Sequence, residues 1–291
     1  MTLHLRAHRL RARSAAFIAA LLVATTAGAD VAAPPAVEVL HGEIESTSGC
    51  RNDYTLYRPS RPATALAVMV VPGFMRDRDR MRGWADAIAR RGMTVVTMDF
   101  CQPTAFDGRH AENARDMIAV REALGLHDIV YVGHSAGGLA SLLAAADDGA
   151  ARAMVLLDPV DFADLAETAA VRATVPALVL LARPGICNLR SNVRHALPRL
   201  ANAVVVNLDA ATHCDFEWPP SALCRAACDF GGPSRERRIE AEQRIRSLVL
   251  DFIDSMRAVA EDGPEASRQA PAEAGTRPAD PAPAGATASA P

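Results

Sequence analysis

The chain has 291 residues, half of them hydrophobic, with 31 basic and 34 acidic side chains. That length suits one α/β domain with a substantial core. An acidic protein without a basic patch is a poor partner for nucleic acid.

The N-terminal stretch carries Arg6, Arg9, Arg11 and Arg13 and no acid. An apolar run from Ala15 to Ala24 follows, then the small-residue site Ala27-Gly28-Ala29. Basic end, short apolar core and small-x-small site together predict a secretory signal peptide over residues 1–29. The run is shorter than the roughly 20 apolar residues that a membrane span needs. The expected location is therefore secreted or periplasmic, with no stable membrane span. Loss of the four leader arginines shifts the net charge from −3 to −7.

Short apolar runs then alternate with longer amphipathic ones. Leu66 to Val71 reads as a buried strand ending at Pro72-Gly73. A helix is expected from Arg80 to Arg91, closed by Gly92 as C-terminal glycines close helices. Thr94 to Met98 reads as a strand, His110 to Leu124 as a helix, and Ile129 to Val132 as a strand. Gly137 to Ala146 reads as a helix. Ala153 to Leu157, Ala177 to Leu181 and Ala203 to Leu208 read as further strands, and Ser234 to Met256 as the last helix. Buried strands alternating with helices predict a mostly parallel sheet covered on both faces. Residues 37–258 are the expected catalytic domain. Residues 261–291 are mostly Pro, Ala, Gly, Ser and Thr with scattered charge, which predicts a disordered tail.

Ile129 to Val132 runs into Gly133-His134-Ser135-Ala136-Gly137-Gly138. This is the G-x-S-x-G pattern in strand–turn–helix context, with Ser135 as candidate nucleophile. In that chain order the base follows the nucleophile and the acid. His213, five residues past the last strand, is the candidate base, and His134 is expected to face packing. No Asp or Glu occurs between Glu167 and Asp209. The strand at Ala177 to Leu181 therefore supplies no acid. The preceding strand ends in Asp158-Pro159-Val160-Asp161, which makes Asp158 the candidate acid. Asp161 is the alternative acid, and Asn188 a neutral alternative. The expected oxyanion donors are the backbone amides of Phe74 and Ala136, with the Phe74 side chain beside the acyl pocket.

Val71-Pro72-Gly73-Phe74, the helix with Trp84, Arg91-Gly92-Met93-Thr94-Val95-Val96 and the Gly-His-Ser-Ala-Gly-Gly elbow resemble the dienelactone-hydrolase-like branch of the α/β-hydrolases. That branch includes polyester hydrolases and plant chlorophyllases. The Asp158-Pro159-Val160-Asp161 segment is most similar to chlorophyllases, whereas the Arg183 to Asn188 segment lacks the acid of polyester hydrolases. The resemblance spans about Leu66 to Phe216. It implies the α/β-hydrolase fold and ester hydrolysis without a cofactor, acting on a small-molecule or lipophilic ester. Only about 18 residues separate Asp158 from the next strand, so no large lid is expected, and a small or shallow open site is.

The function expected from these residues is a serine esterase working through an acyl-enzyme. A peptidase or thioesterase with the same triad, or a non-catalytic binding protein on this fold, are the alternatives. The six cysteines, Cys50, Cys101, Cys187, Cys214, Cys224 and Cys228, are expected to form disulfides in an exported chain. A staple among the last four would hold the His213 loop, which shows no secondary structure of its own in the sequence. A metal site from His213, Cys214, Cys224 and Cys228 is the weaker reading, so no metal is expected.

Overall fold

The computed structural model describes residues 34–261 apart from 47, 102–108 and 230. The expected signal peptide and residues 262–291 of the expected tail lie outside the described residues. The element order is β1 (Val37–Glu45), β2 (Arg51–Pro59), β3 (Leu66–Val71), α1 (Arg82–Ala89), β4 (Thr94–Met98), α2 (His110–Ala123) and β5 (Asp128–His134). It continues with α3 (Ala136–Asp147), β6 (Ala151–Leu157), α4 (Leu165–Arg172), β7 (Ala177–Ala182), β8 (Ala203–Leu208), α5 (Ala222–Cys228) and α6 (Arg235–Glu261).

The eight strands form one sheet in the order β1-β2-β4-β3-β5-β6-β7-β8. β1 and β2 pair antiparallel, and β2 meets β4 antiparallel. All other neighbours are parallel. Central strands such as β3 are buried along their whole length because both faces are covered. Alternate residues serve opposite cores. Met69, Val71, Ile129 and Tyr131 pack with Met117, Val120 and Leu139 of α2 and α3. Val68, Val70, Val130 and Val132 pack with Trp84 and Ile88 of α1 and with Ile245, Val249 and Ile253 of α6.

Several expected elements differ. The helix expected from Arg80 to Arg91 is a 3₁₀ turn, Arg78–Met81, followed by the shorter α1. β8 is not a buried central strand but the sheet's edge, with Val204 and Val205 exposed. The segment after His213 has structure of its own, a 3₁₀ turn at His213–Phe216 and then α5. Pro219 and Pro220 do exclude a helix where they stand, and α5 begins two residues later, with the Ser221 hydroxyl accepting from the Cys224 amide at 3.2 Å. The sequence reading also passed over β1, β2 and α4.

Candidate active site

The site begins where β5 turns into α3. Ser135 has φ 56° and ψ −119°, a backbone conformation that L-residues avoid. Close packing enforces it. A Cβ on Gly133 would lie 2.1 Å from the Gly137 carbonyl oxygen, and one on Gly137 would lie 2.2 Å from that of Pro72. Only glycine lets β5, α3 and the end of β3 approach so closely. The Ser135 amide donates to the Leu157 carbonyl at 3.0 Å, and its own carbonyl accepts from Gly138 at 2.9 Å. The turn is thereby tied to β6 and to its own helix.

Two of the predicted partners meet this serine. His213 Nε2 lies 3.0 Å from Ser135 Oγ, and His213 Nδ1 lies 2.6 Å from Asp158 Oδ2. An ionised carboxylate can only accept, so Nδ1 carries the proton and Nε2 is left to accept from the serine hydroxyl. Asp158 is 0% exposed and has φ 43°. Its charge is compensated locally. Oδ1 accepts from the Ala182 amide at 2.9 Å, and Asn188 Nδ2 donates to Oδ2 at 3.1 Å. Asn188 is itself held by the Arg183 carbonyl at 3.0 Å and by the Gly185 amide at 2.7 Å. Asn188 thus contacts the Asp158 carboxylate rather than His213.

Asp161 lies elsewhere. Its Oδ1 accepts from the amides of Phe162 and Ala166 at 2.7 and 2.8 Å, holding the start of α4. Its Oδ2 faces His195 Nε2 at 3.2 Å.

His134 is buried, as its place in the elbow predicts. Its Nε2 lies 2.9 Å from the His213 carbonyl oxygen, so this nitrogen donates. The imidazole therefore fixes the backbone of the candidate base. Burial holds the His134 pKa well below the usual histidine range, and the neighbouring His213 adds to this.

The loop after β3 reaches the same place. A Cβ on Gly73 would stand 3.0 Å from Ser135 Cβ. Phe74, half-buried, follows it, and Ala136 opens α3, where the first amides have no partner within the helix. This loop is tied to the His213 segment by contacts that sequence reasoning missed. Arg76 Nε donates to Glu217 Oε1 at 2.7 Å, and Glu217 Oε2 accepts from the Ser221 amide at 3.0 Å. Trp84 Nε1 donates to the Phe216 carbonyl at 2.9 Å. No local pattern announces these pairs, because the partners stand far apart in sequence.

All six cysteines are paired: Cys50 with Cys101, Cys187 with Cys228, and Cys214 with Cys224. The last two bridges fall within the expected group of four. Cysteines in these bridges offer no thiolate to a metal. Cys214–Cys224 joins the residue after His213 to α5, and Cys187–Cys228 joins the far end of α5 to the loop after β7.

Above Ser135, His213 and Asp158 lies a cleft of about 680 Å³, bordered by Gly73, Phe74, Ser135, Ala136, Val160 and Phe162 and by α5. The small or shallow site expected from the short Asp158-to-β7 connection is not what forms. The loop after β7 and α5 build the walls that a lid would otherwise supply. The volume is within the usual range for binding a small organic molecule.

A family profile described as alpha/beta hydrolase fold matches residues 67–179. A proposed dienelactone hydrolase of Klebsiella pneumoniae superposes with a TM-score of 0.52 at 15% identity, covering 73% of this chain and 98% of its own. An esterase of Pyrococcus furiosus superposes with a TM-score of 0.50 at 14% identity, covering 59% of this chain and 80% of its own. No curated protein matches the sequence. The chain has the α/β-hydrolase fold. Among the described residues no helix is long and apolar enough to cross a membrane.

Two outcomes follow from this geometry. Because burial depresses the His134 pKa in the folded state, the unfolded chain binds this proton first as pH falls. Stability is full above the unfolded value of about 6.5 and declines below it, with a slope approaching about 1.4 kcal/mol per pH unit from this residue. Urea midpoints measured from pH 7.5 to 5.5 should fall, and His134→Gln should flatten that slope; equal slopes would contradict the assignment. Reduction of the disulfides should destabilise the His213 loop first, since an unstrained bridge contributes about 2–4 kcal/mol. Proteolysis of reduced protein is expected to begin between Cys187 and Cys228 while the sheet still gives its far-ultraviolet signal. First cleavage elsewhere would show that the bridges do not hold this region.

Proposed function

We propose that the protein is a serine hydrolase of carboxylic esters, with Ser135 as nucleophile, His213 as general base and Asp158 as the acid. One observation carries the reading: the unbroken relay from buried Asp158 through His213 to the hydroxyl of the strained Ser135, at 2.6 and 3.0 Å, on the floor of an apolar cleft. In the first step Ser135 Oγ attacks the ester carbonyl and its proton passes to His213 Nε2. Asp158 stabilises the imidazolium without taking the proton. The tetrahedral oxygen is received by the Phe74 and Ala136 amides; loss of one such donor typically costs about 3 kcal/mol of barrier. The C–O bond to the alcohol then breaks, and the alcohol leaves with the proton from His213. Water, deprotonated by the same nitrogen, cleaves the acyl-enzyme and returns the proton to Ser135.

A neutral apolar cleft suits an ester with an uncharged acyl or alcohol part. No metal or organic cofactor enters this sequence of steps. Three disulfides support an oxidising compartment. Together with the basic, then apolar, N-terminus they support export of residues 30–291 after removal of a leader, with residues 37–258 as the catalytic domain.

Ser135→Ala is expected to fold normally and to lower kcat on p-nitrophenyl esters by on the order of 10⁴-fold or more. Asp158→Asn should lose most of the activity, while Asp161→Asn, which disturbs the start of α4 and the contact with His195, should keep most of it. Full activity in Ser135→Ala would refute the nucleophile, and the reverse ranking of the two aspartates would move the acid to Asp161.

A further inference from the structure

Four large apolar side chains stand in water around the mouth of the cleft: Met75 at 70% exposure, Ile186 at 71%, Leu189 at 52% and Leu223 at 72%. They come from three separate segments, the loop after β3, the loop after β7, and α5. Scattered exposed apolar residues are ordinary, but a contiguous group is a mark of an interaction surface.

Two of the four also sit where the backbone disfavours them. Met75 has φ 54° and Leu189 φ 49°, in the left-handed region where glycine and asparagine are at ease and bulky apolar residues are rare. Neither core packing nor turn chemistry calls for methionine or leucine there. Each segment is moreover tied down beside its exposed residue. Met75 precedes Arg76, which is bound to buried Glu217; Ile186 precedes Cys187 and Leu223 precedes Cys224, both in disulfides. These ties keep the side chains from collapsing into the cleft, so the rim remains apolar and open.

Charge narrows the partner. The carboxylates and guanidinium lining the cleft are Arg76 and Glu217, paired with each other, and Asp161, whose carboxylate is buried; His110, His134 and His213 are the remaining titratable side chains there. Among the described residues the lining therefore offers no unpaired guanidinium to anionic headgroups, and the whole chain has a net charge of −3. An anionic bilayer is a poor fit.

We infer that this rim adsorbs the protein to the surface of a condensed neutral ester phase, from which ester molecules enter the cleft and reach Ser135. The inference rests on the hydrolase reading above and names the physical state of the substrate. Among the described residues no lid covers the cleft.

The test uses the full chain carrying Ser135→Ala, which binds without turnover, mixed with emulsified tributyrin and separated by flotation. A second protein adds Ile186→Ser, Leu189→Asn and Leu223→Ser. The expected result is that the first protein floats with the droplets and that the rim changes lower its partition coefficient at least ten-fold. With Ser135 restored, the same rim changes should lower the ratio of the emulsion rate to the rate on dissolved p-nitrophenyl acetate by a similar factor. Circular dichroism of both proteins shows that the fold is kept. Equal partitioning of the two proteins, absence of the first from the droplets, or preference for anionic phospholipid vesicles over tributyrin would overturn the proposal. If dissolved ester is not cleaved with Ser135 present, the hydrolase reading fails, while the flotation result still judges the rim.

Discussion

The site depends on one steric constraint, the crossing of β5, α3 and the end of β3 at Gly133, Gly137 and Pro72. Backbone atoms meet there with no room for a Cβ. A sheet strand must turn into a helix within two residues at that crossing, and the residue between them is left at φ 56°. That residue is Ser135. Its hydroxyl is consequently held away from the sheet, at the first turn of a helix whose amides favour negative charge. The energy stored in the turn is offset by the β5 and α3 packing on either side, where Tyr131, Val132, Leu139 and Ala140 are all buried. Strain, core and candidate nucleophile are thus one arrangement.

The remaining site residues come to this point along two routes. Asp158 arrives on β6, the strand next to β5, and is held by the β7 amide of Ala182 and by Asn188 just beyond β7. His213 arrives on a long segment past the edge strand β8, far less supported by the sheet. The molecule ties that segment down repeatedly: by the His134 imidazole to the His213 carbonyl, by Trp84 to the Phe216 carbonyl, by Arg76 to Glu217 and by Cys214 to Cys224. If His213 is the base proposed above, a displacement of about an ångström would cost rate steeply, which is the functional meaning these ties would have.

Much of this was legible in the sequence, for identifiable reasons. Buried parallel strands are continuous apolar runs, so β3, β4, β5, β6 and β7 stood out. The elbow has a glycine on each side for a steric reason that does not depend on context. Asp158 could be singled out because acids are absent from the whole stretch between Glu167 and Asp209. Other features were not legible. β1 is an edge strand with mixed exposure, and its register is set by β2 rather than by an apolar face of its own. α4 and α5 have only 8 and 7 residues, too few for a clear helical period. α5 is held largely by two disulfides, whose pairing is a matter of tertiary distance. Arg76 with Glu217, and Asn188 with Asp158, are likewise distant in sequence. The cleft's size followed from walls that a count of residues between Asp158 and β7 could not reveal.

The central claim is that Ser135 is chemically activated by the His213–Asp158 relay. Incubation of the intact protein with a fluorophosphonate, followed by peptide mass spectrometry, tests it directly, because only an activated serine attacks phosphorus at a useful rate. The account predicts a single stoichiometric adduct on the peptide containing Ser135, formed at least a hundred-fold more slowly in His213→Ala, on the scale of losing a general base. No adduct on the folded protein, an adduct on another serine, or labelling that is indifferent to His213 would contradict it.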